Sequence, residues 1–176
     1  FQQNCTLIWD AESGRGVVVD PGGDVPRILA GLGRAGFTVE RILLTHGHLD
    51  HAGGAAALKR ALEARQGGPV PIEGPDRRDG FLLEGLAEQG ARFGITDLES
   101  VVPDRWLAEG ETVSIAGQDF AVLHCPGHTP GHVVFVHKPS KVAFVGDVLF
   151  RGSIGRTDFP RGNHAAEALD VRKRPV

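Results

Sequence analysis

The 176-residue sequence predicts an α/β sandwich rather than one doubly wound sheet. The predicted elements run strand, strand, helix, strand, helix and then strands again, an order that separates two sheets instead of alternating through one. The last two strands are nearly continuous apolar runs, the mark of strands buried between layers. The length suits one domain, 1–176, with a sizeable core, and is too short for two typical ones.

The elements follow in chain order. Cys5-Thr6-Leu7-Ile8-Trp9 and Gly16-Val17-Val18-Val19-Asp20 read as strands joined by the turn residues Asp10 to Gly14. Asp20-Pro21-Gly22-Gly23-Asp24 stops the second strand. Asp24 stands as N-cap with Pro26 in the first turn, and Ile28, Leu29, Leu32 and Ala35 share one helical face until Gly36 ends it. A strand from Val39 to Leu44 leads into a histidine loop. Ala52 to Arg65 then reads as a helix, with Leu58 and Leu62 four apart. Gly67-Gly68-Pro69 breaks the pattern, and Val70-Pro71-Ile72 is confined by its proline to a short edge strand. Asp76 to Phe93 has only a weak helical period and is expected to act as a lid or covering segment. Thr112 to Ala116 and Phe120 to His124 flank the turn Gly117-Gln118-Asp119. His132 to Val136 and Val142 to Val145 are the two apolar strands, and Asn163 to Arg172 resembles the start of a helix. The sequence has no repeats or low-complexity segments.

Composition narrows the classes of function. Hydrophobic content of 41% with 23% charged residues reads as a water-soluble globular chain. No apolar run reaches the ~18 residues that a membrane helix needs. A net charge of −3 gives no basic footprint for nucleic acid. Two cysteines, Cys5 and Cys125, are too few for a disulfide framework and suit the cytoplasm. The chain has no methionine, so Phe1 is not the original start of translation, and no signal-peptide pattern follows it.

The chemistry concentrates in Leu44-Thr45-His46-Gly47-His48-Leu49-Asp50-His51, where three imidazoles and a carboxylate fall within six residues on a strand-to-helix loop. Neutral imidazole and carboxylate suit zinc, iron or manganese. Neighbours such as Asp50 and His51 turn onto one ion together with His46 and His48 only with strain, so the spacing favours two adjacent metal positions. Six of the eight histidines lie in windows 46–51 and 124–132. The second window, His124-Cys125-Pro126-Gly127-His128-Thr129-Pro130-Gly131-His132, is stiffened by two Pro-Gly breaks. Val145-Gly146-Asp147 adds a carboxylate at a third strand end. Each has a plainer explanation: His128 bonding a loop carbonyl, Asp147 forming a turn, His124 and His137 packing, Cys125 a buried loop thiol. Beside the first motif, ligation leads for His128 and Asp147, and His132 is expected to serve a ligand or the substrate.

Together Thr-His-Gly-His-Leu-Asp-His at 45–51, Cys-Pro-Gly-His-Thr-Pro-Gly-His at 125–132 and Gly146-Asp147 resemble the metallo-β-lactamase fold superfamily. The run Gly146 to Phe150, continued by Gly155-Arg156-Thr157-Asp158-Phe159-Pro160, is similar to its hydroxyacylglutathione hydrolase (glyoxalase II) branch, especially the short bacterial members. The resemblance covers nearly the whole chain. It implies a four-layer αββα sandwich with a dinuclear site at one edge. His46, His48 and His128 would bind the first metal, Asp50 and His51 the second, and Asp147 both. The family's further histidine, in a Gly-His-Gly segment near the C-terminus, has no counterpart in residues 1–176. The chain is therefore expected to lack its native N-terminus and a C-terminal segment.

The activity so implied is hydrolysis of a thioester, S-hydroxyacylglutathione, by water activated at two divalent ions, zinc foremost, with Asp50 helping to hold the nucleophile and His132 beside the chemistry. Arg151, Arg156 and Arg161 follow the site and suit an anionic substrate, with Arg156 more simply paired to Asp158. The main alternative is a mononuclear iron persulfide dioxygenase, to which the 155–159 segment is also similar. A degenerate metal-binding member without activity is a third. No nucleic acid or membrane partner is expected.

Overall fold

The computed structural model describes residues 3–166. Two four-stranded sheets pack face to face. The first is built from β1 (Thr6–Asp10), β2 (Arg15–Val19), β3 (Thr38–Leu43) and β4 (Ile72–Glu73) in that spatial order. β1 and β2 form an antiparallel hairpin, whereas β3 and β4 add in parallel. Parallel addition needs crossovers, supplied by α1 (Val25–Ala35) and by α2 (Leu49–Ala52) with α3 (Ala55–Gln66). The second sheet is an antiparallel meander of β5 (Thr112–Ile115), β6 (Gln118–His124), β7 (Val133–His137) and β8 (Val142–Phe144).

Side-chain alternation explains the layers. Val17 and Val19 of β2 and Leu43 of β3 point between the sheets, where they meet Val113, Ile115, Phe120, Val122, Val133 and Phe135. Val18 points the other way, to Ile28 and Leu32 of α1 and Leu58 and Leu62 of α3. A sheet covered on both faces has no room for polar alternation, hence the unbroken Val-Val-Val. Val39 and Ile42 both reach the helix layer because the β2–β3 register shifts between them. On the far face of the second sheet Val134 and Val136 pack with Leu123, Ala143, Cys125, Val145 and Val148. Among the described residues no helix of eight or more covers that face, so three layers of the sandwich are in view.

Several details differ from the sequence reading. The helix expected over Ala52–Arg65 is two helices broken at Gly53-Gly54, so Asp50 and His51 sit on a short helical turn of their own. Asp24 occupies the N-cap position of α1, yet its left-handed backbone leaves the side chain without a cap hydrogen bond. β8 is not buried throughout: it is the sheet's edge strand, and Val142 is 40% exposed. The β5–β6 turn is Ala116-Gly117, both at positive φ, and Gln118 already pairs with Ile115. Asp76–Phe93 resolves into a 3-10 turn (Arg77–Asp79), α4 (Gly80–Glu84) and α5 (Leu86–Ala91). Leu83 and Leu86 are fully buried in the helix-side core, which makes this segment a brace rather than a lid. A further hairpin, β9 (Leu149–Phe150) with β10 (Ser153–Ile154), was not expected, and of the helix read over 163–172 only its first turn, His164–Ala166, lies among the described residues.

The sheets meet at one edge, where the loops after β2, β3, β6 and β8 converge. The Val133 N–H donates to the Thr45 carbonyl at 2.8 Å, tying β7 to the end of β3 across the sandwich. Truncating the fully buried Phe135 to alanine should lower the unfolding free energy by roughly 3–5 kcal/mol, whereas Val142→Ala on the exposed edge should cost less than about 1 kcal/mol; urea midpoints at constant m-value would measure both.

Candidate metal centre

His46 lies at the middle of a cluster of imidazoles, with ring centroids of His48, His51, His128 and His132 between 4.0 and 4.9 Å away. Two sets of ligand-type atoms form within it: His46, His48 and His128, and His46, His51 and Asp147. Asp147 stands between them, its Oδ1 3.2 Å from His51 Nε2 and its Oδ2 3.5 Å from His128 Nε2.

Backbone and side-chain acceptors behind the rings fix which nitrogen faces inward. The Thr45 hydroxyl donates to Asp20 at 2.7 Å, so it accepts from His46 Nδ1 at 3.1 Å and leaves Nε2 turned to the cluster. His51 Nδ1 donates to Asp20 at 2.9 Å, and His128 Nδ1 donates to the Arg156 carbonyl at 2.7 Å. His48 instead offers Nδ1, 2.9 Å from His128 Nε2. Carboxylates and carbonyls that orient ligating histidines in this way are a general feature of metal sites. The carbonyl bond and the inward-facing nitrogen of His128 are thus two ends of one ring.

The buried atoms without a hydrogen-bond partner include His46 Nε2, His51 Nε2 and Asp147 Oδ1. Orphaned polar atoms are costly in a core, and these three converge on one point. That is the observation on which the residues fit a divalent cation.

Electrostatics support the same reading for the first set. Burial holds His46 well below the ordinary imidazole range, with the neighbouring rings adding to it, and pushes His48 down to about 3. His128 is lowered by burial too, against the pull of Asp147 and the charge of Asp50. These rings are neutral, the form that ligates. For His51 burial opposes a charge, but the Asp20 and Asp147 carboxylates on either side outweigh it and push the ring up to about 10. His51 thus stands between two carboxylates, with its Nε2 facing Asp147.

Not every expected residue joins the cluster. Asp50 belongs to neither set of converging atoms; it is half-buried and borders an 820 Å³ cleft lined also by Gln3, Gly22, Arg27 and Leu98. His132 lies in the cluster but behind the converging atoms: its Nε2 accepts the Asp147 backbone N–H at 3.1 Å, and its ring stacks on His46. It holds Asp147 from behind. His124 bonds the Pro130 carbonyl, and His137 bonds Ser140 and stacks on Phe120. Arg156 forms a two-point pair with Asp158, both contacts 2.9 Å.

Three residues have roles the sequence did not suggest. Asp20, read only as a strand stop, takes both the Thr45 N–H and hydroxyl as well as His51, and does so from a left-handed backbone, φ 52°. Phe159 sets its ring edgewise to His48 and His128 at 4.9 and 5.5 Å, walling one side of the cluster. Asp79, in the segment of weak helical period, is fully buried against both histidine loops. Asp20 stood before Pro-Gly, where an aspartate signals a turn; Phe159 lay within the 155–160 run that carries the resemblance, without a role, and nothing local marks Asp79.

A sandwich of two sheets with such a cluster where their loops meet defines a metal-binding α/β protein, and comparison assigns it. The metallo-beta-lactamase superfamily model matches residues 1–174, and the chain belongs to that superfamily. Among its relatives, hydroxyacylglutathione hydrolase GloC of Haemophilus influenzae is 46% identical over 175 residues, covering 99% of this chain and 79% of that protein. The hydroxyacylglutathione hydrolase of Serratia proteamaculans is 36% identical, and the match covers 89% of this chain but about half, 51%, of that longer protein. Of solved structures, the BLEG-1 B3 metallo-beta-lactamase superposes with a TM-score of 0.85 at 31% identity, over 99% of this chain and 80% of that one. TTHA1623 in a di-iron-bound form gives 0.82 at 35% identity, over 98% and 80%.

Removing the Asp20 carboxylate strips His51 and Thr45 of their partner together, so Asp20→Ala should weaken zinc retention against a competing chelator about 10–100-fold. A pH effect is expected from Asp79, which burial pushes up from 3.8 to about 6 against its hydrogen bonds. Because the folded value lies above the unfolded one, protonation favours the fold: that contribution is present below about pH 4 and lost as the pH rises through about 6. In the metal-free chain, Asp79→Asn should remove about 3 kcal/mol of this pH dependence between those limits, read as the difference between urea titrations of the two proteins.

Proposed function

We propose that the chain hydrolyses thioesters of the S-hydroxyacylglutathione class at a centre of two divalent ions. The observation that carries this is the pair of ligand sets sharing His46 with the Asp147 carboxylate between them. The hydroxyacylglutathione hydrolase named among the relatives, 46% identical, supports the substrate class.

In this reading His46, His48 and His128 would hold one ion and His51 and Asp50 the other, with the Asp147 carboxylate between the two sets. Imidazole and carboxylate suit zinc first, with iron and manganese also accommodated; one similar structure is a di-iron form. When bound, such ions supply Lewis acidity and bring the pKa of water near neutrality.

The chain's own groups do the rest. The buried neutral rings of His46, His48 and His128 present lone pairs without a proton to shed. The Asp147 carboxylate, kept ionised against burial by His51 and His128, balances positive charge at the middle of the cluster. Phe159 excludes water from the side of His48 and His128. Asp50, at the margin of the cluster and within electrostatic reach of His128, would help to hold the attacking water. His132 is a positioning residue that keeps Asp147 in place through the Asp147 N–H. A thiolate leaves without strong acid assistance, so the reaction does not demand a general acid.

No described helix is long and apolar enough to cross a membrane. A glutathione-thioester substrate would suit the cytoplasm, the compartment in which thiols persist.

The test is release of free thiol from an S-(2-hydroxyacyl)glutathione, with metal content measured on the same preparation. Asp147→Asn and Asp50→Ala should each lower kcat/KM by at least about 100-fold. Full thioesterase activity in Asp50→Ala would overturn the mechanism. About one iron per chain, with oxygen uptake on glutathione persulfide and no thioester cleavage, would replace the hydrolase by a dioxygenase, and turnover of a β-lactam instead would make it a lactamase.

A further inference from the structure

Asp79 closes the 3-10 turn of the brace and belongs to neither histidine loop, yet it bonds to both. Its Oδ2 accepts the Gly47 N–H at 3.0 Å and the Thr129 hydroxyl at 2.7 Å, and its Oδ1 accepts the Gly131 N–H at 2.6 Å. Gly47 is the residue between His46 and His48, and Thr129 and Gly131 lie between His128 and His132. One fully buried carboxylate therefore joins the stretch that carries two ligands of the first set to the stretch that carries the third.

The surroundings are cut to fit it. A Cβ at Gly131 would lie 2.7 Å from Asp79 Oδ1 and 2.5 Å from the Asp79 nitrogen. A Cβ at Gly47 would lie 2.7 Å from the Leu82 Cβ and 3.2 Å from the Asp79 carbonyl oxygen. The two loops come nearer to the turn than any larger residue permits. The turn is itself anchored: the Asp76 N–H donates to the Gly131 carbonyl at 3.0 Å, and the Asp79 N–H to the Asp76 carbonyl at 3.0 Å.

The chemistry of the pocket calls for a carboxylate. The three hydrogen-bonding groups that face the side chain are all donors, and two of them are on one oxygen and one on the other. An asparagine of the same shape would satisfy one side and turn an N–H against an N–H on the other. Leaving a buried charge without a cationic partner is expensive, and the neighbouring charge that bears on Asp79 is another carboxylate, Asp76. A turn former needs none of this. The roots of the two loops are already tied by the Val133–Thr45 bond; Asp79 ties their tips.

We propose that Asp79 is a positioning residue of the metal centre, setting the distance between His46 and His48 on one loop and His128 on the other. The inference rests on the metal-centre reading of the site and is independent of the substrate.

The zinc-loaded chain, challenged with chelators of graded strength, tests it, with zinc retention and urea stability measured together and the absorption bands of the cobalt-substituted protein as a geometric signature. Asp79→Asn should retain zinc about 10–100-fold less well than the parent and shift the cobalt bands. Val122→Ala, in the core between the sheets, should lose stability yet keep retention within about twofold and leave the bands unmoved, because it touches neither loop. Thr129→Val removes one of the three donors and leaves the carboxylate; it should lose retention several-fold, and it carries the test alone if Asp79→Asn does not fold. Parental retention and bands in Asp79→Asn, or in Thr129→Val in its place, would overturn the inference, as would an equal loss in Val122→Ala. A parent chain that binds no zinc would overturn the metal-centre reading and this inference with it.

Discussion

Everything at the site depends on burying imidazoles against one another without charging them all. Rings at centroid distances of 4.0 to 4.9 Å repel as imidazolium ions, and burial drives them further toward neutrality. A neutral ring still has one N–H and one lone pair to place. The fold places both by directing N–H groups outward, to Thr45 from His46, to Asp20 from His51 and to Arg156 from His128, so that lone pairs face inward. The acceptors are a strand-end carboxylate, a hydroxyl and a loop carbonyl, each delivered by a different element. Ligand geometry is therefore a property of the whole edge of the sandwich rather than of the histidine motif.

That division explains what the sequence disclosed. The ligand-type side chains His46, His48, His51 and His128 were legible because metal binding demands particular residue types at short spacing, and Asp147 because it follows a strand. The strand–helix order disclosed the two sheets, since a face buried on both sides writes Val17-Val18-Val19 as an unbroken run. Asp20 and Asp79 escaped notice because their function lies across 25 to 52 residues of separation and leaves no local pattern. The apolar run of β8 misled for the complementary reason. Hydrophobicity reports that a strand suits a sheet, not whether it stands at the edge. Asp50 shares a short helical turn with His51, but the buried His51 joins the cluster while Asp50 borders the adjoining cleft.

The segment between the sheets, 74–91, has a larger part than its weak periodicity promised. Leu83 and Leu86 anchor it in the helix-side core, while Gln89 accepts the Leu49 N–H at 3.1 Å and donates to the Leu82 carbonyl at 2.7 Å. A connection built this way is a rigid member. It presses on the histidine loops from outside, and the glycines at 47 and 131 allow it to approach.

The hydrogen bond from Val133 to Thr45 spans 88 positions of the chain, and the first ligand set draws on residues 46 to 128. Neither ligand set is complete in one half of the chain, because His128 and Asp147 come from the second sheet's loops and the other members from the first. The complete sets, and the affinity that goes with them, belong to the closed sandwich. An ion present at a thousand times its dissociation constant would add about 4 kcal/mol to the closed state, and the supply of metal during synthesis would bear on how much of the chain reaches its folded form.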